Sequence, residues 1–481
     1  MDVLNKPPAS ADHGARWMAA TFFLVGVLAT VVWYLVSVPF VYRWVPLVGT
    51  LLSWLLFGAA VLSLRRVPAK WVAAVVIFGA LVLGVAAMSG PPVTSSDSAR
   101  YAWDGIVQKA GISPYRYVPA DPALQSLRPA WLFQDREPDG RCPHGFYPAN
   151  STTGSIPTSA SGAGSDSLCT VINRPQVPTI YPALAEIYFL MVRFLPGAGV
   201  GFIAFQLAGL AISLVLTAGL LAFLSRNSRP LHLAAWWAWS PLVVFEAVNN
   251  AHVDILGVAL ATAAVLLLSR GSVLSSGMAF GAAVAAKLVP IVMVPGMLFR
   301  RPLHFALTAA LTFSVLYLPY LLLSGEAVIG YLPGYLTEEG YGSGSSARFA
   351  LAQMVVPVAC ARPIGAALLL ATAVYVWRRV DPQRPWDKQL LMVGATLLIV
   401  TPSYPWYALL LVPLIALSGR YEYFSIPIAL SIMYLSVGQL DGQLTSRTVL
   451  SAAVCIIVAA AWWRKNRAIR GVEKTASGDS G

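Results

Sequence analysis

The sequence predicts an all-α, polytopic membrane protein. Of its 481 residues, 57% are hydrophobic and only 11% are charged, where a soluble domain carries about 25% charged residues. Mean hydropathy is +0.67. Apolar runs of about twenty residues, the length a helix needs to cross a bilayer, recur from Trp17 to Trp463. These runs are continuous and do not alternate, which selects self-satisfied helices over barrel strands.

The net charge of +12 does not point to nucleic acid, because the basic residues gather in alternate short connections. They are Arg65, Arg66 and Lys70; Arg226 and Arg229; Arg300 and Arg301; Arg378, Arg379, Arg384 and Lys388; and Arg464, Lys465, Arg467 and Arg470. This is positive-inside patterning. It predicts a multi-pass plasma-membrane protein with both termini cytoplasmic and no nucleic-acid partner.

In chain order, residues 1–15 form a polar cytoplasmic tail. Residues 16–89 hold three spans, at 17–38, 45–64 and 70–89. The first is kept as a helix because no small-residue cleavage site follows it and a second span comes at once. The Arg65–Lys70 turn is inside, so the third span emerges outside near Met88. Residues 90–200 form a long first extracytoplasmic loop bearing amphipathic helices. Its middle, 141–166, is rich in Gly, Ser, Thr and Pro and reads as irregular. Cys142 and Cys169 both lie in this loop, and on an oxidising face they form a disulfide. From Thr179 the loop turns into an amphipathic helix with Tyr188, Phe189, Met191, Val192 and Leu195 on its apolar side.

Residues 201–463 form the transmembrane bundle, followed by a cytoplasmic tail over 464–481. Its spans are predicted at 201–224, 231–249, 253–269, 303–323, 362–378, 388–402, 406–418, 423–437 and 447–463. Between Arg270 and Arg300 the chain must return to its own side, so two short helices, 274–286 and 288–299, meet at Lys287. The total is about fourteen spans, within a range of about twelve to fourteen.

The polar residues collect on the outer side. Asp97 and Asp104 are seven apart, so a helix would give them one face. Paired carboxylates beside a cleft suit acid–base work on sugars; an interfacial cap with Arg100 as ion partner is the plainer reading. Lys287, set between Val284-Ala285-Ala286 and Leu288-Val289, has no cheap place in lipid; an anionic phosphate would neutralise it, or the lysine snorkels. Arg348, after the Gly-rich 340–344 loop, is a second phosphate candidate, and that loop is either a gate or a connector. His252 and Asp254 sit at an outer turn, as sugar ligands or as structural caps. With so few ligands about them, no metal is expected. Trp406 and Tyr407 are an interfacial belt or a sugar platform.

Asp97-x-x-Arg100-Tyr101-x-Trp103-Asp104-Gly105, followed by Gly111-x-x-Pro114-Tyr115-x-Tyr117-x-Pro119, resembles the first outer loop of bacterial polyprenyl-phosphate-sugar-dependent glycosyltransferases of the GT-C fold. The resemblance is nearest to actinobacterial mannosyltransferases that use polyprenyl-phosphate-mannose. Thr179-Ile180-Tyr181-Pro182, Asn250-Ala251-His252-Val253-Asp254, Lys287 and Tyr404-Pro405-Trp406-Tyr407 are similar to later elements of that group. The resemblance implies a GT-C-like bundle and an inverting transfer of a sugar, mannose first. The donor is a polyprenyl phosphate and the acceptor a cell-envelope glycolipid or glycan at the outer face, with membrane lipids around it and no cofactor. It makes Asp97 the general base and Asp104 the second acidic position. Arg100 then joins Lys287 and Arg348 at the donor phosphate, and Tyr101 and Tyr404 join His252, Asp254, Trp406 and Tyr407 at the sugars. Two departures stand out. Two extra spans precede the motif, and Tyr404 stands where some relatives carry histidine, whose role would then be lost or move to His252.

Arabinosyl or glucosyl transfer is the nearest alternative. A lipid or sugar flippase would explain the spans and Lys287, but it predicts polar residues spread through the bilayer depth. An anchoring subunit without chemistry predicts that Asp97→Asn is harmless.

Overall fold

The computed structural model describes residues 9–38, 44–150, 167–340 and 348–478. Most of the Gly-rich 340–344 loop, the second part of the 141–166 stretch and the extreme termini lie outside the described residues.

Three apolar helices open the chain: α1 (Ala9–Ser37), α2 (Val45–Leu64) and α3 (Ala69–Ala87). α2 and α3 fall within two residues of the predicted spans, whereas α1 begins at Ala9, inside the stretch read as a polar tail. The turn between α2 and α3 sets the Arg66 guanidinium 4.1 Å from the Trp17 ring centre. A polar segment then begins with α4 (Asp97–Lys109). A small antiparallel sheet of β1 (Phe133–Asp135), β2 (Tyr147–Pro148) and β3 (Leu168–Thr170) follows, in order β1-β3-β2. Phe133 and Tyr147 both pair with Thr170. The Cys142–Cys169 disulfide ties the connection between β1 and β2 to β3, with Cα atoms 5.7 Å apart.

Next come α5 (Ala183–Val192) and α6 (Ile203–Arg226). The apolar stretch 231–249 is not one straight helix. Ser240 and Pro241 interrupt it, leaving α7 (Ala235–Ala238) and a π-helix over Val243–Asn249, bent by 58°. The rest is helical: α8 (Asp254–Ser269), α9 (Val273–Ala286), α10 (Pro302–Ser324), α11 (Leu332–Glu338), α12 (Val358–Arg379), α13 (Pro385–Val400), α14 (Leu411–Ser418), α15 (Ser425–Leu435) and α16 (Gly442–Gly478). The predicted break falls at Lys287, whose extended backbone (φ −154°, ψ 138°) ends α9 before a 3-10 stretch, Val289–Gly296.

Among the described residues, seven helices are long and apolar enough to cross a membrane, or eight if the bent pair is one span. This supports a polytopic membrane protein but stops short of the expected fourteen. Several apolar segments, such as Asp254–Ser269 and Val273–Ala286, are too short to be counted by length.

Two cores position the site. One joins the helices around Trp236, Trp237, Trp239 and Phe57. The other, around Tyr101, Trp103, Phe189 and Phe205, glues α4 and α5 to the start of α6. Two glycines allow close approach. A Cβ on Gly105 would strike the Phe189 carbonyl, and one on Gly209 would strike that of Ala247 in the π-helix.

Candidate active site

Asp97 is the first residue of α4, where a carboxylate is favoured by the helix dipole. Two asparagines fix the chain that leads to it. Asn249 Nδ2 donates to the carbonyls of Ala87 (2.9 Å) and Pro91 (3.0 Å). Asn250 Oδ1 accepts from the amides of Val93 (3.2 Å) and Thr94 (3.1 Å). The polar link between α3 and α4 is thus hydrogen-bonded to the side chains of Asn249 and Asn250. Asp97 itself accepts a 2.6 Å hydrogen bond from Asn173 Nδ2. Its carboxylate, 16% exposed, opens on a cavity of about 310 Å³.

That cavity is polar. Arg100, Arg174 and Lys287 line it, with Asp97 as the one carboxylate among the lining residues, and Tyr404, Trp406 and Tyr407 form an aromatic wall. Lys287 occupies the seam between this cavity and a second, apolar groove of about 420 Å³. Ile180, Tyr181, Tyr335 and Tyr407 line both spaces as well. The Lys287 ammonium is 2.9 Å from Asp254 Oδ2 and lies 5.5 Å from the Tyr181 ring centre and 5.8 Å from that of Tyr407. These contacts hold the cation and leave the side chain 16% exposed. Asp254, at the first turn of α8, therefore orients Lys287 and is absent from the cavity lining.

His252 is fully buried behind Asp97, with Nδ1 3.6 Å from Asp97 Oδ2 and Nε2 3.4 Å from Glu246 Oε2. Its ring stacks on Trp406 at 3.9 Å between centres, and Trp406 stacks on Tyr404 at 4.5 Å. The residue before it, Ala251, has φ +56°, a conformation rare for a residue with a Cβ and one that clusters at functional sites.

Like His252 and Asp254, the predicted site residues Asp104, Tyr101 and Arg348 do not line the cavity, whereas Arg100 does. Asp104 is 2% exposed and does not face the cavity; it takes a forked pair from Arg100 Nε at 2.9 and 3.0 Å. Residues seven apart share a helix face, yet the first turn of α4 opens to the cavity while the second is covered by α5. Burial, and then Asp104 itself, push the neighbouring Glu186 carboxyl well above the usual range. Burial raises Asp104 too, against the pull of Arg100. Arg100 is thus a partner of Asp104, with Nη1 donating to the Val177 carbonyl at 3.0 Å, and it lines the cavity as well. Tyr101 is fully buried, stacked on Phe189 at 4.4 Å, and serves the core. Arg348 is buried against Glu339 and donates to the Thr401 carbonyl at 2.8 Å, outside the cavity lining.

Sequence reasoning missed Asn173, Arg174, Tyr335 and Tyr434, all of which line the cavity. Arg174 has φ +52° and is 2.7 Å from Glu338 Oε1, at the end of α11. The Tyr335 and Tyr407 hydroxyls are 2.9 Å apart.

Residues 179–402 match the family model of Glycosyltransferase family 87. The matched stretch includes His252, Asp254 and Lys287 and lies between Asp97 and the 404–407 aromatics. No curated protein and no solved structure matches the chain. The family match indicates a glycosyltransferase and supports one of GT-C type.

Proposed function

We propose that this glycosyltransferase takes its sugar from a polyprenyl phosphate and inverts the sugar carbon as it passes it to an acceptor hydroxyl. The observation that carries this reading is the position of Lys287 at the seam between an apolar groove and a polar cavity. An amphiphile with a long apolar tail, an anionic link and a polar head fits that junction in one orientation. The prenyl chain lies along Leu288, Val292, Leu336 and Leu397. The phosphate meets Lys287, and the sugar enters the cavity toward Asp97.

Asp97 acts as general base on the acceptor hydroxyl while Asn173 fixes its rotamer. A cation already beside the leaving phosphate stabilises the charge that develops there, so protonation of the leaving group is not needed. Mannose is the proposed sugar, a cell-envelope glycolipid or glycan the acceptor, and the outer face of the plasma membrane the place, with both termini inside. The Tyr404–Trp406 stack offers a flat face for a sugar ring. Transfer from radiolabelled polyprenyl-phosphate-mannose to an envelope lipid extract tests the reading. Transfer from an arabinose donor with none from mannose would replace the sugar but keep the class.

A further inference from the structure

A buried imidazole needs partners for both of its nitrogens. The His252 ring is fully buried, and neither nitrogen has a hydrogen-bond partner within normal geometry among the described residues. What faces them is a carboxylate on each side: Asp97 at 3.6 Å from Nδ1 and Glu246 at 3.4 Å from Nε2. Unliganded catalytic contacts are often long and tighten in the complex. The ring plane is set by the Trp406 stack.

Glu246 is held for this task. It sits on the π-helix Val243–Asn249, a rare form that recurs at functional sites. Asn250 Nδ2 donates to Glu246 Oε2 at 3.0 Å, and the His252 amide donates to the Glu246 carbonyl at 2.9 Å. Glu246 does not line the cavity that Asp97 faces; it lines a separate, mostly apolar pocket beside α1 and α2. It therefore cannot touch a sugar in the Asp97 cavity.

Resting on the reading of Asp97 as base, we infer that Glu246 is a positioning residue that acts through His252, fixing the imidazole so that it receives the proton Asp97 takes from the acceptor. Glu246 accepts Nε2–H, which leaves the Nδ1 lone pair facing Asp97. As the acceptor oxygen bonds to the sugar carbon, its O–H bond breaks and the proton goes to Asp97 Oδ2. The bond between sugar and phosphate breaks with its electron pair staying on the phosphate. The proton then passes from Asp97 to Nδ1, leaving an imidazolium between two carboxylates; once the products have left, it returns to Asp97 and from there, through the cavity that Asp97 faces, to solvent, so that the next turnover starts from a neutral imidazole and an ionised Asp97.

Among the described residues, the ionisable groups facing His252 are Asp97 from α4 and Glu246 from the π-helix. The Tyr404 and Tyr434 phenols stand beyond Trp406, with centres 4.5 and 5.6 Å from its ring. Protonation of an imidazole stacked on an indole quenches the indole's emission, so Trp406 reports on His252 without any substrate. The test titrates tryptophan fluorescence of the detergent-solubilised full chain against pH. The wild type is expected to show a step that disappears in Trp406→Phe and moves to lower pH in Glu246→Gln. In the transfer assay, Glu246→Gln is expected to lower kcat about a hundredfold, the lower end of what a positioned proton carrier contributes. The donor KM should stay put, and the acid limb of the pH profile should move the same way as the fluorescence step.

A step that Glu246→Gln leaves in place, or no step at all, overturns the inference; so does a fall in kcat with an unmoved acid limb. If Glu246→Gln is not recovered as monodisperse protein, Glu246→Asp takes its place. It retains the charge and must keep the fluorescence step within reach of the wild-type position, and loss of the step there also overturns the inference. Asp97→Asn run in parallel separates the two readings. Full transfer by Asp97→Asn removes the base itself, whereas a dead Asp97→Asn beside an unaffected Glu246→Gln removes only the relay.

Discussion

The ammonium of Lys287 stands 2.9 Å from the carboxylate of Asp254, where a polar cavity meets an apolar groove. The pair satisfies a cation that the chain places between two apolar segments. It also leaves the ammonium with donors to spare on the cavity side.

Lys287→Met is therefore expected to weaken donor engagement. A charge-assisted hydrogen bond contributes about 1.5–3 kcal/mol, so the donor KM should rise roughly tenfold to a hundredfold. Steady-state kinetics with varied donor at saturating acceptor would show it. An unchanged KM with a lowered kcat would move Lys287 away from the ground-state phosphate.

The Arg100–Asp104 pair is buried on both sides, with side chains 5% and 2% exposed. Breaking such a pair from one side costs about 3–5 kcal/mol, so Asp104→Asn should unfold well below the wild type. Glu186→Gln should be nearly silent at acidic pH, because a neutral amide resembles the protonated acid that burial favours there.

The pH dependence follows from the same group. A carboxyl raised in the folded state binds its proton more tightly than in the unfolded chain. Its contribution to stability is full below the ordinary value of about 4.3 and is lost as pH rises through the raised value. Glu186→Gln removes that loss. Its Tm relative to wild type should climb from pH 5 to pH 8, and thermal unfolding followed by intrinsic fluorescence would measure it. A flat difference would mean that Glu186 carries no such load.

The Cys142–Cys169 bridge closes a separation of 27 residues, for which loop-closure entropy predicts about 3.5 kcal/mol. Its removal should reach the site as well. Asn173, which fixes Asp97, follows β3 by three residues, from Thr170 to Asn173. Cys142→Ser/Cys169→Ser is expected to lower Tm and reduce kcat together. A lower Tm with full activity would show that the sheet and Asn173 are independent.

The fold was legible where physics leaves little choice. Long apolar runs placed α1, α2, α3 and α6, and the return of charge at Arg300 required the break at Lys287. The 231–249 run misled because composition does not register a bend at Ser240-Pro241. In the site, Asp97, Lys287 and the 404–407 aromatics stood out as polar or aromatic residues at the edges of apolar runs. Asn173 and Arg174 did not, since a loop already rich in polar residues offers no contrast. Asp104 and Tyr101 were misplaced because spacing fixes a helix face but not what covers each turn of it. Arg348 was misplaced because a cation's partner, here Glu339, is not written in its neighbours.

The central claim is that Asp97 activates the acceptor of a lipid-linked sugar. The most direct test is sugar transfer in nanodiscs from polyprenyl-phosphate-mannose to an envelope lipid extract, wild type against Asp97→Asn. The account predicts transfer by the wild type and a loss of about 10²–10⁴-fold in the variant, with donor binding retained. Equal transfer by both proteins would contradict it.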